Sequence, residues 1–150
     1  MNKKDYNLIL LKGSEHINSM AIYLKEIFKL LKQSGYNYIE LEDLNDFINC
    51  GGYIFVAISN NEFKKPIASA LVYDDGINWN MSFITCDEDY FKTSLCNSLI
   101  TDIENYLKQN FKVKNIIIMI SSQNKSLIKI MDKNLYKFTY PVKVYLRKVN

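Results

Sequence analysis

The sequence predicts one mixed α/β domain of the α+β type over residues 1–150. A mixed, mostly antiparallel central sheet is flanked by about four helices. Three observations carry this expectation. Three strand-like runs between Tyr53 and Thr85 are joined by two tight connections, which makes an antiparallel meander. Two helical patterns precede the meander, and an amphipathic pattern from Ser94 to Gln109 comes after it as a single stripe facing a sheet. An apolar run over Asn115 to Ile120 then reads as a strand covered on both faces.

In chain order, Tyr6 to Leu11 is the first strand. Gly13 and Ser14 break it, and Ser14 is placed to N-cap the first helix. From Glu15 to Gln33 apolar residues recur at helical spacing, including Ile17, Leu24, Ile27 and Leu31. Ser34-Gly35 stops that helix, because Gly accepts the left-handed C′ conformation. Leu41, Leu44, Phe47 and Ile48 mark a shorter helix that ends at Gly51-Gly52. Tyr53 to Ser59 is rich in aromatic and β-branched residues, and Asn60-Asn61 turns it. Ile67 to Tyr73 comes after Pro66, which suits a strand start because Pro cannot donate to a ladder. Asp75-Gly76 signals a hairpin into Asn78–Thr85, where alternation puts Trp79, Met81 and Phe83 on one face. Ser126 to Asn134 is a last short helix, and Val142 to Lys148 a last strand.

Composition narrows the classes. At 48% hydrophobic and 13% aromatic, 150 residues supply one sizeable core. The net charge is +3, and the lysines are scattered along helices among acids, which reads as a solvated surface and not as a nucleic-acid face. Cys50, Cys86 and Cys96 show no Cys-x-x-Cys spacing and no His neighbour. That argues against a disulfide scaffold or a metal site and for a reducing compartment. No leader-length apolar core succeeds the basic start, and no run is long and apolar enough to span a bilayer. The expected compartment is the cytoplasm, with no membrane partner.

The C-terminal half carries more specific marks. The run Asn115-Ile116-Ile117-Ile118-Met119-Ile120 stops at Ser121-Ser122-Gln123-Asn124. A short helix comes next, and then the aromatic strand Pro141-Val142-Lys143-Val144-Tyr145-Leu146-Arg147. With the upstream strand, acidic turn and helix near Ser94, this order resembles the GCN5-related N-acetyltransferase (GNAT) superfamily through nearly the whole chain. The resemblance implies that acetyl-CoA is the acyl donor, that no metal is needed, and that the acceptor is a small-molecule or peptide amine attacking directly. In such proteins the helix after the central strand opens with Arg/Gln-x-x-Gly-x-Gly/Ala, whose backbone N–H groups and positive helix end hold the CoA pyrophosphate. The matching stretch here is Tyr90-Phe91-Lys92-Thr93-Ser94-Leu95-Cys96-Asn97. Phe91 takes the Arg/Gln position, while Ser94 and Cys96 replace the two glycines.

The cofactor-binding residues implied by the resemblance are Ile84 and Cys86 on the central strand, then Lys92, Thr93, Ser94, Leu95, Cys96 and Asn97, and finally Asn124. A plain helix N-cap at Thr93 or Ser94, and at Asn124, is the alternative. The family Tyr that protonates the CoA thiolate falls on Met131, which cannot donate a proton and fits an apolar stripe with Leu127. The Gly-Phe position falls on Leu135-Tyr136, which makes Tyr136 the candidate acid, with Tyr140 nearby. Glu88, beside Asp87, is the candidate base at the end of the central strand.

Other residues are read with two meanings. Asp74 and Asp75 form the hairpin turn, and Cys86 is an apolar residue before it is a nucleophile. His16 is a surface residue or borders the acceptor. Tyr36 and Tyr38 line an acceptor pocket or pack at the sheet edge. Glu40, Glu42, Asp43 and Asp46 attract a cationic amine or complement a helix start. Two further function classes stand beside the enzyme. One is a GNAT-fold acyl-CoA binder without catalysis. The other is a homodimeric interaction module using Phe138, Tyr140 and Tyr145.

Overall fold

A computed structural model describes residues 5–13, 17–61, 63–90, 95–121 and 124–133. In chain order the elements are β1 (Tyr6–Leu11), α1 (Ile17–Gln33), α2 (Leu41–Asn49), β2 (Tyr53–Ser59), β3 (Pro66–Asp74) and β4 (Trp79–Cys86). Next come a 3-10 turn (Glu88–Tyr90), α3 (Leu95–Asn110), β5 (Ile116–Ile118) and α4 (Lys125–Lys133). The strand expected over Val142–Lys148 lies outside the described residues, as do Ser14 and His16.

The described strands form one five-stranded sheet in the order β1-β2-β3-β4-β5. β1 to β4 pair antiparallel, and β5 joins β4 in parallel through the α3 crossover. The sheet is therefore mixed and mostly antiparallel, as the sequence predicts. β2 and β3 are almost wholly buried, so their period of two shows in which core each residue enters and not in its polarity. Phe55, Ala57, Ala68, Ala70 and Met81 face α3 and α4, against Leu99, Ile103, Leu127 and Met131. Ile54, Val56 and Leu71 face α1 and α2, against Leu24, Ile27, Leu31, Leu44 and Ile48. The small Ala57, Ala68 and Ala70 leave room for α3, whose Leu99, Ile103 and Leu107 are fully buried. No described helix is long and apolar enough to cross a membrane.

Local chemistry sets the turns. α1 ends in a Schellman motif: the Tyr36 N–H donates to the Leu31 carbonyl (3.0 Å) and the Gly35 N–H to the Lys32 carbonyl (3.1 Å). Gly35 takes φ +90°, where a side chain would be strained. In the β3–β4 hairpin the Asp74 carboxylate accepts the Gly76 N–H (2.8 Å). Asp75 accepts the Ile77 (2.8 Å) and Asn78 (2.7 Å) N–H groups and the Asn80 amide (2.9 Å). Those hydrogen bonds hold the Asp75 carboxyl below its usual range, Asn78 first, and give both aspartates their turn-forming role.

Two expectations are corrected here. The run Asn115–Ile120 pairs only over Ile116–Ile118, and these three residues are half-buried, not covered on both faces. Phe83 does not share a face with Trp79 and Met81, because β4 carries a bulge.

Candidate active site

The bulge is readable in the ladder. Leu71 pairs with Ser82 and Ser69 with Thr85, so Phe83 and Ile84 together oppose Ala70. Phe83 absorbs the extra residue at φ +48°, in the left-handed region that bulky side chains rarely enter. Its ring therefore joins the α1/α2 core, whereas Ile84 and Cys86 return to the α3/α4 core with Trp79 and Met81. The adjacent apolar pair Phe83-Ile84 was the sequence signal for this break in alternation.

The same point marks the end of the β4–β5 ladder. The pairs run from Trp79↔Ile116 to Met81↔Ile118, and the Met119 N–H donates to the Met81 carbonyl (2.9 Å). β4 continues to Cys86, but no described residue of the β5 segment pairs with it there. Among the described residues, the main chain of β4 from Ser82 onward has no parallel partner.

Beyond β4 the chain turns tightly. The Asp87 N–H donates to the Ile67 carbonyl (2.7 Å), and its carboxylate accepts the Asp89 N–H (3.0 Å) and pairs with Lys65 (3.2 Å). That hydrogen bond with Asp87, and then its charge, raise the Lys65 ammonium above its ordinary value. Asp87 is thus committed to structure, while Glu88 stands exposed in the 3-10 turn. Lys92, Thr93 and Ser94 lie outside the described residues. α3 begins with buried Leu95 and half-buried Cys96 and Asn97. Interaction with Cys96, and then burial, push the Cys86 thiol up, while interaction with Cys86 holds the Cys96 thiol below its ordinary value.

Asn124 acts as a helix cap, its Oδ1 accepting the Leu127 N–H (3.2 Å). Met131 and Leu127 are buried in the α3/α4 core, and Tyr136 lies outside the described residues. On the opposite face three rings gather beside the bulge. Tyr36 and Phe83 meet edge-on at 5.0 Å between centroids, with Tyr38 6.3 Å from each. Burial raises the Tyr36 and Tyr38 hydroxyls above their ordinary value. Tyr38 nonetheless keeps 48% of its surface exposed, so its ring is open to a ligand. Sequence reasoning found the two tyrosines but missed Phe83. At the start of α2 the Glu40 N–H donates to the Asp43 carboxylate (2.7 Å), which gives these two acids a helix-start role.

A cavity of about 1180 Å³ lies elsewhere, between the β1 edge and α3, lined by residues including Tyr6, Asn60, Asp102 and Tyr106. It is on the far side of the sheet from β5, and a large opening is not by itself the place of the chemistry. Among the described residues no three His, Cys, Asp or Glu side chains gather as a metal site.

No protein-family model and no curated protein matches the chain. Solved structures do. An aminoglycoside acetyltransferase from an uncultured soil metagenomic sample, in complex with sisomicin, superposes with a TM-score of 0.71 at 10% identity. The match covers 97% of each chain. The aminoglycoside N-acetyltransferase AAC(6')-Iy in complex with CoA gives 0.68 at 13% identity, over 99% of this chain and 100% of that one. A ribosomal-protein-alanine N-acetyltransferase from Brucella melitensis biovar Abortus 2308 gives 0.70 at 11% identity, over 95% and 99%.

Proposed function

We propose that this chain, whose fold is that of the GNAT acetyltransferases, transfers an acetyl group from acetyl-CoA to an amine. The observation that carries the reading is the parting of β4 from β5 after Met81. A strand without a neighbour offers main-chain donors and acceptors to a ligand. The pantetheine arm of CoA, a slender chain with amide groups, is suited to take the place of the missing strand.

On this reading the main chain at Ile84 and Cys86 holds the acyl-pantetheine arm, and main-chain N–H groups beside the bulge polarise the thioester carbonyl. The amides of Thr93, Ser94, Leu95, Cys96 and Asn97 at the positive end of α3, with the Lys92 ammonium, hold the pyrophosphate. Cys96 is small enough to let that backbone approach. Asn124 adds its side-chain amide nitrogen while its oxygen caps α4. Glu88 receives the amine proton directly or through water, and Tyr136 returns a proton to the departing thiolate. The acceptor, a small molecule or a peptide amine, meets the Tyr36, Tyr38 and Phe83 rings.

Calorimetric titration with acetyl-CoA and desulfo-CoA tests the reading. Micromolar binding is expected, weakened about tenfold by the carboxylate of Ser94→Glu. An amine screen for free CoA release completes the test. Absence of binding at millimolar ligand overturns the proposal. One observation favours a second reading, an acyl-CoA binder without turnover: buried Met131 stands where a proton-donating Tyr is expected. Binding without CoA release under any amine would establish it.

A further inference from the structure

We propose that the outer edge of β1 binds an extended basic segment of another protein, which adds to the sheet as an antiparallel strand and sets a Lys or Arg side chain in the cavity between β1 and α3. The inference goes beyond the acyl-CoA reading and does not rest on it, because β1 and β5 stand at opposite ends of the sheet order. β1 pairs with β2 and with no other described strand. All six of its residues stay in continuous register with β2, so no bulge twists this edge away. Its sequence, Tyr6-Asn7-Leu8-Ile9-Leu10-Leu11, holds no charge and no Pro. Edges that must stay unpaired usually carry such guards.

The register fixes which main-chain groups face outward. The Asn60 N–H donates to the Asp5 carbonyl (3.0 Å), one step beyond the pair Tyr6↔Ser59. Asn7, Ile9 and Leu11 therefore bond to β2, while the N–H and C=O groups of Tyr6, Leu8 and Leu10 point away from it. The side chains of those same three residues lie on the α3 face, where buried Tyr6 and half-buried Leu8 and Leu10 pack in the α3/α4 core. In an antiparallel pair, hydrogen-bonded partners stand directly opposite each other and share a face. An added strand thus places the side chains opposite Tyr6 and Leu8 on the α3 side, the side that holds the cavity.

The cavity suits a cation. Its volume is about 1180 Å³, and its lining joins the Asp5 and Asp102 carboxylates with no described Lys or Arg. Asp102, Asn105, Tyr106 and Gln109 recur at steps of three and four residues, so α3 turns one polar stripe toward β1. The Tyr6 hydroxyl donates to Asp102 Oδ2 (2.6 Å), which fixes that carboxylate beside the edge. A carboxylate accepts up to about four hydrogen bonds, so Asp102 can meet an ammonium or guanidinium as well. The chain as a whole carries +3 and repels a basic peptide, which makes any attraction local to this face. Main-chain bonds along β1 give such a partner its affinity, and the cavity selects its side chain. A second copy of β1 fits less well, because it brings only uncharged side chains to the two carboxylates.

A fluorescent peptide of alternating Lys and Val, titrated with the full chain and followed by anisotropy, tests the proposal. Binding is expected, and a peptide with Glu in place of Lys is expected not to bind. In the antiparallel register the Lys N–H groups face β1 and the Val N–H groups face away. Methylating the Lys amide nitrogens is therefore expected to weaken binding about tenfold, and methylating the Val nitrogens to leave it unchanged. These peptides leave the protein untouched, so the outcome does not depend on the folding of a variant. Asp102→Asn, whose side-chain oxygen still accepts from Tyr6, is expected to weaken binding about tenfold as well. No binding at millimolar peptide overturns the proposal. Equal binding by both methylated peptides also overturns it, because charge attraction alone then accounts for the complex. Unchanged affinity in Asp102→Asn overturns the cavity as the seat of the cation. Sedimentation velocity checks the second copy. A dimer that Leu8→Pro dissolves overturns the proposal in favour of β1 pairing with itself, since that Pro removes an outward N–H and no ladder bond to β2.

Discussion

Phe83 carries a conformation that costs a residue with a Cβ on the order of 1–2 kcal/mol, at the point where β4 loses its parallel neighbour. Packing of its ring against Tyr36 and Tyr38 offsets that strain. Two truncations separate the terms. Phe83→Ala keeps the strain and loses the rings' contact, so it destabilises. Phe83→Gly loses the same contact but relieves the strain, and is expected to be about 1 kcal/mol more stable than Phe83→Ala by urea denaturation. Tyr6 is a second residue whose setting has a measurable sign. Its hydroxyl donates to Asp102 (2.6 Å), and burial first, then Asp102, raise it above its ordinary value of 10.0. The folded state thus keeps a proton that the unfolded state releases. The contribution is full below about pH 10 and is lost as the pH rises through the raised folded value. Tyr6→Phe is expected to lower stability by about 1–3 kcal/mol at neutral pH. It is also expected to flatten the decline of the urea midpoint above pH 10.

Among the elements, α1 shows how a helix end positions a functional side chain. Its Schellman closure at Gly35 places Tyr36 immediately past the helix, where the ring meets Phe83 of β4. A Cβ at Gly35 meets no neighbour, so only the backbone opposes substitution. Gly35→Ala is expected to cost about 1 kcal/mol, read as a lower urea midpoint with an unchanged slope. If the substitution is neutral, the positive φ is not held in solution. The parting of β4 and β5 belongs to this scale as well. Three residues of parallel pairing anchor β5, and that pairing ends just before the bulge in β4.

Across the molecule, one sheet separates two cores that share every strand from β1 to β4. Neither core is self-sufficient, so the described domain is expected to unfold as one cooperative unit. The single tryptophan, Trp79, lies in the α3/α4 core and reports it by fluorescence, whereas far-ultraviolet circular dichroism reports all helices. Leu31→Ala on the α1 side and Leu99→Ala on the α3 side both truncate fully buried residues. Each is expected to cost about 2–5 kcal/mol. The Leu31→Ala change must shift the fluorescence transition as far as the dichroism transition. A shift confined to dichroism would mean that the two cores unfold separately.

Much of the fold was legible because it is local. The composition of Tyr53–Ser59 marks β2 to the residue, and the stripe Leu95, Leu99, Ile103 and Leu107 marks α3. Ser34-Gly35 and Asp75-Gly76 declare their turns through backbone freedom and short-range hydrogen bonds. In each case residues within one turn or hairpin of each other decide the outcome. The site was legible only in outline. The pair Phe83-Ile84 interrupts the alternation of β4, but which of the two faces α1 is settled by the partner strand, through the register Leu71↔Ser82 and Ser69↔Thr85. The spacing of Asp87 from Lys65 says nothing of their meeting. By itself the sequence determined which segments are strands, helices and turns, because periodicity and turn chemistry act between near neighbours. Only the tertiary structure decided where the β4–β5 pairing ends and which rings stand beside the bulge. Those are outcomes of strand register and helix docking, which depend on residues far apart in the chain.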